Sequence, residues 1–169
     1  MVVSRLFVAQ QQTRFVSPRL FHQTQQDVDQ HILLRGRILV VDDDDDLRKL
    51  LRALLEGDGY QVFSCRDAAR ALKIFASRGD IDLLLTDFRM PQMTGVELAQ
   101  EIARARPDLP VLILSGAILP DDALAAIAAH GWDLIAKPCQ IPALLQTIAA
   151  RLQRADRLSA AAKTEACVP

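Results

Sequence analysis

Five residues whose side chains can take part in phosphoryl chemistry each follow a short apolar run of the sequence: Asp42, Asp43, Asp87, Ser115 and Lys137. Where such runs form a parallel sheet, their carboxyl ends meet at one edge, which brings these side chains together. Three carboxylates cannot lie together ionised without a counter-charge, and Mg²⁺ supplies one when carboxylates and waters bind it. Phosphoryl transfer needs such a cation and oriented donors. The set therefore predicts a site at which one carboxylate attacks a phosphoryl group.

The apolar runs alternate with helical patterns between Arg37 and Leu152, and the last helix is predicted over Ile141–Leu152. The runs are short, as is typical of strands buried on both faces of a parallel sheet. They are Ile38–Val41, Tyr60–Phe63, Ile81–Thr86, Val111–Leu114 and Trp132–Ala136. Apolar residues at helical spacing separate them, and glycine or proline marks the helix ends. Five strands alternating with five helices predict an α/β fold, a doubly wound parallel sheet with helices on both faces.

Composition narrows the class of protein. Half of the 169 residues are hydrophobic, and the formal net charge of −1 creates no field that would recruit nucleic acid or a membrane. The three cysteines include no CxxC pair, which argues against a disulfide framework and a zinc site and favours a reducing compartment. No apolar run approaches the length of a membrane span. We therefore expect a cytoplasmic domain at residues 37–152, a disordered leader at 1–36, and a C-terminal helix extension and tail at 153–169.

Four segments together resemble the receiver domains of two-component response regulators. They are Val40–Asp43, the DFRMPQMTG segment Asp87–Gly95, Leu114–Gly116 and Lys137–Pro138. A pair of aspartates after a strand is weak evidence alone, but the DxxMPxxxG pattern followed in order by the hydroxyl and the Lys-Pro pair is specific. The resemblance covers about residues 37–152. It implies a flavodoxin-like five-stranded sheet of order 2-1-3-4-5 with five helices.

The resemblance also implies a role for each acidic residue. Asp87 is then the phosphoacceptor. Mg²⁺ is bound directly by Asp43 and Asp87, largely through water by Asp42, and by the backbone carbonyl of Arg89. Such a domain catalyses only its own phosphorylation and dephosphorylation, so we do not expect a conventional enzyme.

Two further positions carry the switch in receiver domains. Ser115 corresponds to the hydroxyl that moves to bond the phosphoryl group, and Lys137 to the cation that pairs with a phosphoryl oxygen. One departure concerns the readout, because Leu134 stands where most relatives have the aromatic ring that rotates on phosphorylation. We therefore expect any conformational change to be concentrated in Ser115–Pro120 and at the start of the following helix.

The expected partners follow from the same resemblance. A histidine kinase or phosphotransfer protein would supply the phosphoryl group, and an unidentified protein would receive the signal. Because little sequence follows Leu152, we expect a stand-alone receiver, as a monomer or a weak phosphorylation-dependent dimer. We expect neither nucleic acid nor a membrane among the partners.

Two alternatives remain at this point. A receiver-like module could signal through protein contacts without being phosphorylated, although every acceptor-site residue is present. A haloacid-dehalogenase-type phosphatase would also use an aspartate nucleophile, a hydroxyl, a lysine and Mg²⁺. Its DxDx(T/V) signature is only partly matched after the first strand, where the acids at Asp42 and Asp44 lack the following Thr or Val. It also leaves the Asp87–Gly95 segment unexplained.

Overall fold

The computed structural model describes the backbone of residues 34–165, and the side chains of residues 34–155 and of Arg157. The leader expected at residues 1–36 therefore lies outside the described residues except for its last three. Of these, Arg35 donates its backbone N–H to the carbonyl of Gly59, and the carbonyl of Gly36 accepts a hydrogen bond from Gln61. Residues 35 and 36 are thus already bonded to the domain.

Five strands and five helices alternate along the described chain. The strands are β1 (Arg37–Val41), β2 (Gln61–Cys65), β3 (Leu83–Asp87), β4 (Val111–Ser115) and β5 (Asp133–Ala136). The helices are α1 (Asp45–Gly57), α2 (Ala68–Ser77), α3 (Gly95–Ala105), α4 (Asp121–His130) and α5 (Ile141–Glu165). All strand pairs are parallel, in the order β2-β1-β3-β4-β5. The predicted fold class and strand order are confirmed.

The sheet separates two apolar layers, because alternate residues of a strand point to opposite faces. On one face Ile38 and Val40 of β1 pack in a cluster with Leu51 of α1 and Ile148 of α5. On the other face Leu39 and Val41 belong to the cluster formed with α2, α3 and α4. The central strands β1, β3 and β4 therefore carry apolar residues on both faces, which is why their apolar runs show no alternation with polar residues.

The last helix continues beyond Leu152, where the apolar pattern ends, into the residues expected to form a C-terminal helix extension and tail. Core contacts repeat along it at Leu144, Ile148 and Leu152, the spacing of one helical face. Beyond Leu152 the helix continues to Glu165. Alanine-rich sequence explains the continuation, since alanine has the highest helix propensity. The apolar pattern marked the end of the packed face and not the end of the helix.

Candidate functional site

The carboxyl ends of the strands form one rim of the sheet, and an open cleft of about 370 Å³ lies over it. Seven residues line the cleft: Asp43, Asp87, Arg89, Ser115, Gly116, Ala117 and Lys137. The structure thus brings together all of the candidate residues except Asp42, which lies beside the cleft in contact with Lys137. They come from the ends of four strands or from the loops that follow them, as expected at such a rim.

Asp42 is buried, with 1% of its surface exposed, and both of its carboxylate oxygens have partners. One oxygen accepts a hydrogen bond from the backbone N–H of Asp44 at 2.9 Å. The other accepts from Nζ of Lys137 at 2.9 Å. A buried carboxylate is stable only when it is paired in this way, so the position of Asp42 depends on Lys137.

Asp87 is the last residue of β3 and forms an ion pair with Lys137. Its second carboxylate oxygen accepts the backbone N–H of Arg89 at 2.6 Å. Burial raises the pKa of the Asp87 carboxyl, and the Lys137 ammonium opposes that rise. Burial alone would lower the pKa of Lys137, but its hydrogen bonds to Asp87 and Asp42 outweigh burial and raise it. Lys137 is therefore held as a cation beside the Asp87 carboxylate, which faces the cleft.

The predicted metal ligands lie in surroundings different from those expected from the sequence. Within residues 34–165, no three or more His, Cys, Asp or Glu side chains are gathered into a group that could hold a metal ion. Asp43 is exposed on the cleft, whereas Asp42 and Asp87 both bond to Lys137. Lys137 thus supplies positive charge next to Asp42 and Asp87, where the sequence had led us to expect it from Mg²⁺. The two cleft carboxylates, Asp43 and Asp87, still fit Mg²⁺, which takes one or two carboxylates and completes its shell with water.

Ser115 ends β4, and its hydroxyl is occupied by its own loop. Oγ donates to the carbonyl of Ala117 at 2.9 Å and accepts from the N–H of the same residue at 3.2 Å. The hydroxyl therefore does not contact Asp87 in this conformation. Any move toward a group on Asp87 exchanges these two bonds for new ones, which couples Ser115 to the β4–α4 loop.

The loop between β3 and α3 is held tightly against the end of β3, next to Asp87. Gly95 donates its N–H to the carbonyl of Phe88 at 3.0 Å. Thr94 and Glu97 form a reciprocal capping box at the start of α3. Gln92 in this loop has a φ of 72°, an uncommon conformation for a residue with a Cβ atom. The segment that follows Asp87 is thus held by a hydrogen bond to Phe88 at its start and by the capping box at its end.

Gly95→Ala should destabilise the protein and disturb Asp87. A Cβ at this position would lie 2.1 Å from the backbone oxygen of Asp87, a contact that only backbone movement can relieve. We expect the free energy of unfolding to fall by about 3 kcal/mol, the upper range for overpacked sites, as measured by urea denaturation. Gly57→Ala is the matched control, because a Cβ there meets nothing within 4 Å. It should leave stability unchanged or raise it by about 1 kcal/mol, and equal losses in both variants would contradict the steric argument.

Two further residues, Arg48 and Thr86, shape the rim and were not predicted from the sequence. Arg48 of α1 donates from Nη1 to the carbonyl of Asp42 at 2.7 Å. Thr86 is fully buried, and its hydroxyl donates to the carbonyl of Asp87 at 3.0 Å. Neither belongs to a motif that marks it as part of a site. Arg48 lies between apolar positions of the first helical pattern, and Thr86 is the last residue of the predicted third strand.

The described cysteines and histidine lie apart from these contacts. Cys65 and Cys139 are free thiols, and burial raises the pKa of Cys65 to about 11, so it is not an activated nucleophile. His130 stacks on Trp132 with ring centroids 4.3 Å apart. None of these three side chains lines the cleft or adds a reactive group to it.

Comparison with known proteins gives one consistent family. The profile described as "Response regulator receiver domain" matches residues 38–149. The transcriptional regulatory protein GlrR of Escherichia coli (strain K12) is 36% identical over 113 residues, which are 67% of this chain and 25% of GlrR. The response regulator MprA of Mycobacterium ulcerans (strain Agy99) is 36% identical over 118 residues, 70% of this chain and 50% of MprA. The chain thus spans a quarter to a half of the length of these relatives.

A solved structure agrees with these sequence matches. The crystal structure of a response regulator receiver domain protein (CheY-like) from Methanospirillum hungatei JF-1 has a TM-score of 0.67 and 28% identity. The match covers 72% of this chain and 97% of that protein. The resemblance inferred from the sequence motifs is therefore confirmed.

The relatives correct the expectation about partners. We expected no nucleic acid from the near-zero net charge, but GlrR is named as a regulator of transcription, a process that takes place on DNA. The net charge is that of this chain alone, whereas GlrR is about four times the length of the matched segment. The stand-alone organisation is likewise not shared by GlrR or MprA, which extend well beyond the matched segment.

No helix within residues 34–165 is long and apolar enough to cross a membrane.

Proposed function

The chain belongs to the response regulator receiver domain family, and from that membership we propose that residues 37–152 act as a phosphoacceptor switch. Asp87 receives the phosphoryl group from a phosphohistidine of a histidine kinase or phosphotransfer protein. One observation carries the proposal: the Asp87 carboxylate lies at the open cleft, paired with the Lys137 cation. A carboxylate so placed is accessible to a phosphoryl donor and has a charge partner on the same rim.

The proposed reaction is an in-line displacement at phosphorus. An oxygen of Asp87 forms a bond to phosphorus while the bond from phosphorus to the donor imidazole nitrogen breaks, and the electron pair stays on the nitrogen. Lys137 exchanges its contact with the carboxylate for one with a phosphoryl oxygen as negative charge moves outward. Such positioned charges are the main contribution a protein makes to phosphoryl transfer. Gly116, small and on the cleft, leaves room for the incoming group.

Mg²⁺ is the proposed cofactor, held by the carboxylates of Asp43 and Asp87 and the backbone carbonyl of Arg89, with Asp42 behind them. When bound, it neutralises charge on the transferring phosphoryl oxygens. The chemistry of the donor set supports this choice, because all of these ligands are oxygen atoms, which Mg²⁺ prefers. Histidine and cysteine, the usual nitrogen and sulfur ligands of metals, are absent from the described lining of the cleft.

We expect the switch to act through the loop between β4 and α4. A phosphoryl group on Asp87 offers strong acceptor oxygens, and Ser115 reaches them only by leaving Ala117. Beryllofluoride mimics the phosphoryl group. Its addition together with Mg²⁺ should give large changes in the backbone amide chemical shifts of residues 116–120. Shifts at residues 133–135 should be small, because Leu134 is already 40% exposed and has no polar tip to exchange. Ser115→Ala should reduce the loop shifts, and larger shifts in β5 than in the loop would contradict this readout.

A phosphotransfer assay tests the proposed function. The purified chain is mixed with phosphorylated histidine kinases, and separately with acetyl phosphate, each with and without Mg²⁺. We expect acid-stable, hydroxylamine-sensitive labelling that requires Mg²⁺. A chain that takes no label from either donor type would refute the proposal in favour of a module that signals without phosphorylation.

A further inference from the structure

We propose that Arg48 is a positioning residue for the cation site, which it shapes by fixing the backbone between Asp42 and Asp43. The inference rests on the proposed function, because it concerns the Mg²⁺ that phosphorylation at Asp87 requires. Arg48 lies in α1, outside every motif that marks the family resemblance. Its guanidinium nevertheless reaches back to the end of β1.

The contacts of Arg48 set it apart from the other basic residues of α1. Nη1 donates to the carbonyl of Asp42 at 2.7 Å, and Nη2 pairs with the carboxylate of Asp45. Only 15% of the Arg48 side chain is exposed. One turn further along, Arg52 is 53% exposed and pairs with Glu56 of its own helix. Arg48 is thus packed into the rim, whereas Arg52 forms an ordinary surface pair.

The carbonyl contact matters because it controls the next residue. The six atoms from the Cα of Asp42 to the Cα of Asp43 lie in one rigid peptide plane. Arg48 holds the oxygen of that plane, and the N–H of Asp42 donates to the carbonyl of Cys65 at 3.3 Å on the neighbouring strand. The Asp43 carboxylate has no hydrogen bond of its own within the described residues. Its placement on the cleft therefore comes from the backbone that Arg48 fixes.

Charge gives Arg48 a second reason to be at this position. Asp43, Asp44, Asp45 and Asp46 are four consecutive exposed acids at the start of α1. Lys137 forms ion pairs with both Asp42 and Asp87 on the sheet side of the rim, and Arg48 forms one with Asp45 on the helix side. The two cations limit repulsion around Asp43 without contacting it.

A lysine would reproduce only part of this arrangement. The planar guanidinium presents separate N–H groups to two acceptors at once, whereas an ammonium group is a single point charge. Arg48→Lys should therefore keep a charge near Asp45 but lose the combined hold on the carbonyl of Asp42. This distinction separates positioning from simple charge compensation.

Mg²⁺ binding by isothermal titration calorimetry tests the proposal without reference to phosphorylation. Arg48→Ala should raise the Kd for Mg²⁺ about 10-fold, the lower range for residues that orient metal ligands. Arg48→Lys should be intermediate. Asp45→Asn, which leaves the contact with the Asp42 carbonyl possible, should bind Mg²⁺ within about twofold of the wild type, since it removes only an exposed ion pair. Arg52→Ala is the matched control and should bind Mg²⁺ as the wild type does.

The outcomes distinguish the two proposals. If the wild type is phosphorylated with Mg²⁺ but Arg48→Ala keeps the wild-type Kd, the role of Arg48 is overturned and the proposed function stands. If the wild type neither binds Mg²⁺ nor takes up a phosphoryl group, both are overturned. Should Arg48→Ala fail to fold, Arg48→Lys is compared with Arg52→Lys. A weaker Kd only in the Arg48 variant supports positioning, and equal values overturn it.

Discussion

The Asp87→Asn protein should take up no phosphoryl group from acetyl phosphate or from a phosphorylated kinase, at any Mg²⁺ concentration. The amide has no anionic oxygen to attack phosphorus, and within the cleft Asp87 is the carboxylate that is paired with Lys137. The substitution keeps the size of the side chain, so the fold should persist. Labelling should therefore fall from stoichiometric to background, with circular dichroism unchanged.

Asp108→Asn is the matched control for that experiment. Asp108 is exposed and lines a cleft between the start of β4 and the start of β5, at the opposite end of the sheet. Its replacement changes the charge of the protein by the same amount and should leave labelling unchanged. Normal labelling of Asp87→Asn, or loss of labelling in both variants, would contradict the assignment.

Lys137→Met should have the second large effect: in the absence of Mg²⁺ it should lower the free energy of unfolding by about 2 kcal/mol. Asp42 and Asp87 would then lie buried beside each other without their shared cation, and removal of one partner from a buried ion pair is strongly destabilising. We expect less than the full penalty because 23% of the Lys137 side chain is exposed. Urea denaturation measures the change.

Addition of Mg²⁺ should stabilise Lys137→Met more than the wild type, because the ion restores a positive charge next to the carboxylates, and a ligand that binds only the folded state stabilises it. Lys49→Met is the control. Lys49 pairs with Asp46 at 3.5 Å on the surface, where both side chains are largely exposed, so its loss should cost under about 0.5 kcal/mol. Equal losses in the two variants, or no extra effect of Mg²⁺, would refute the role given to Lys137.

The fold was predictable because its signals are local. The apolar runs of the central strands, and the Asp67 side chain that caps α2 by accepting from Arg70, can be recognised in the sequence without knowledge of tertiary contacts. The strand order followed from the family resemblance. A helical extension after Leu152 was expected, but its last residue, Glu165, was not predictable, because the alanine-rich sequence favours helix without an apolar pattern that marks an end.

The residues that make up the site could be predicted from the sequence, but the hydrogen bonds between them could not. Strand ends placed Asp87, Ser115 and Lys137 on one rim, and the structure brings them to one cleft. No local signal indicates that Lys137 bonds to both Asp42 and Asp87, which are 95 and 50 residues away along the chain. Nor could it show Arg48 on the carbonyl of Asp42, because a contact with a backbone oxygen leaves no mark on the residue contacted.

The most direct test of the account is to locate the phosphoryl group on the wild-type chain. The protein is incubated with a phosphodonor and Mg²⁺ and reduced with borohydride, which converts an aspartyl phosphate into homoserine. Mass spectrometry of the digested chain then identifies the modified residue. We predict homoserine at Asp87 alone, formed only when Mg²⁺ is present. Modification of Asp43, of any other residue, or of none would contradict the central claim that Asp87 is the phosphoacceptor.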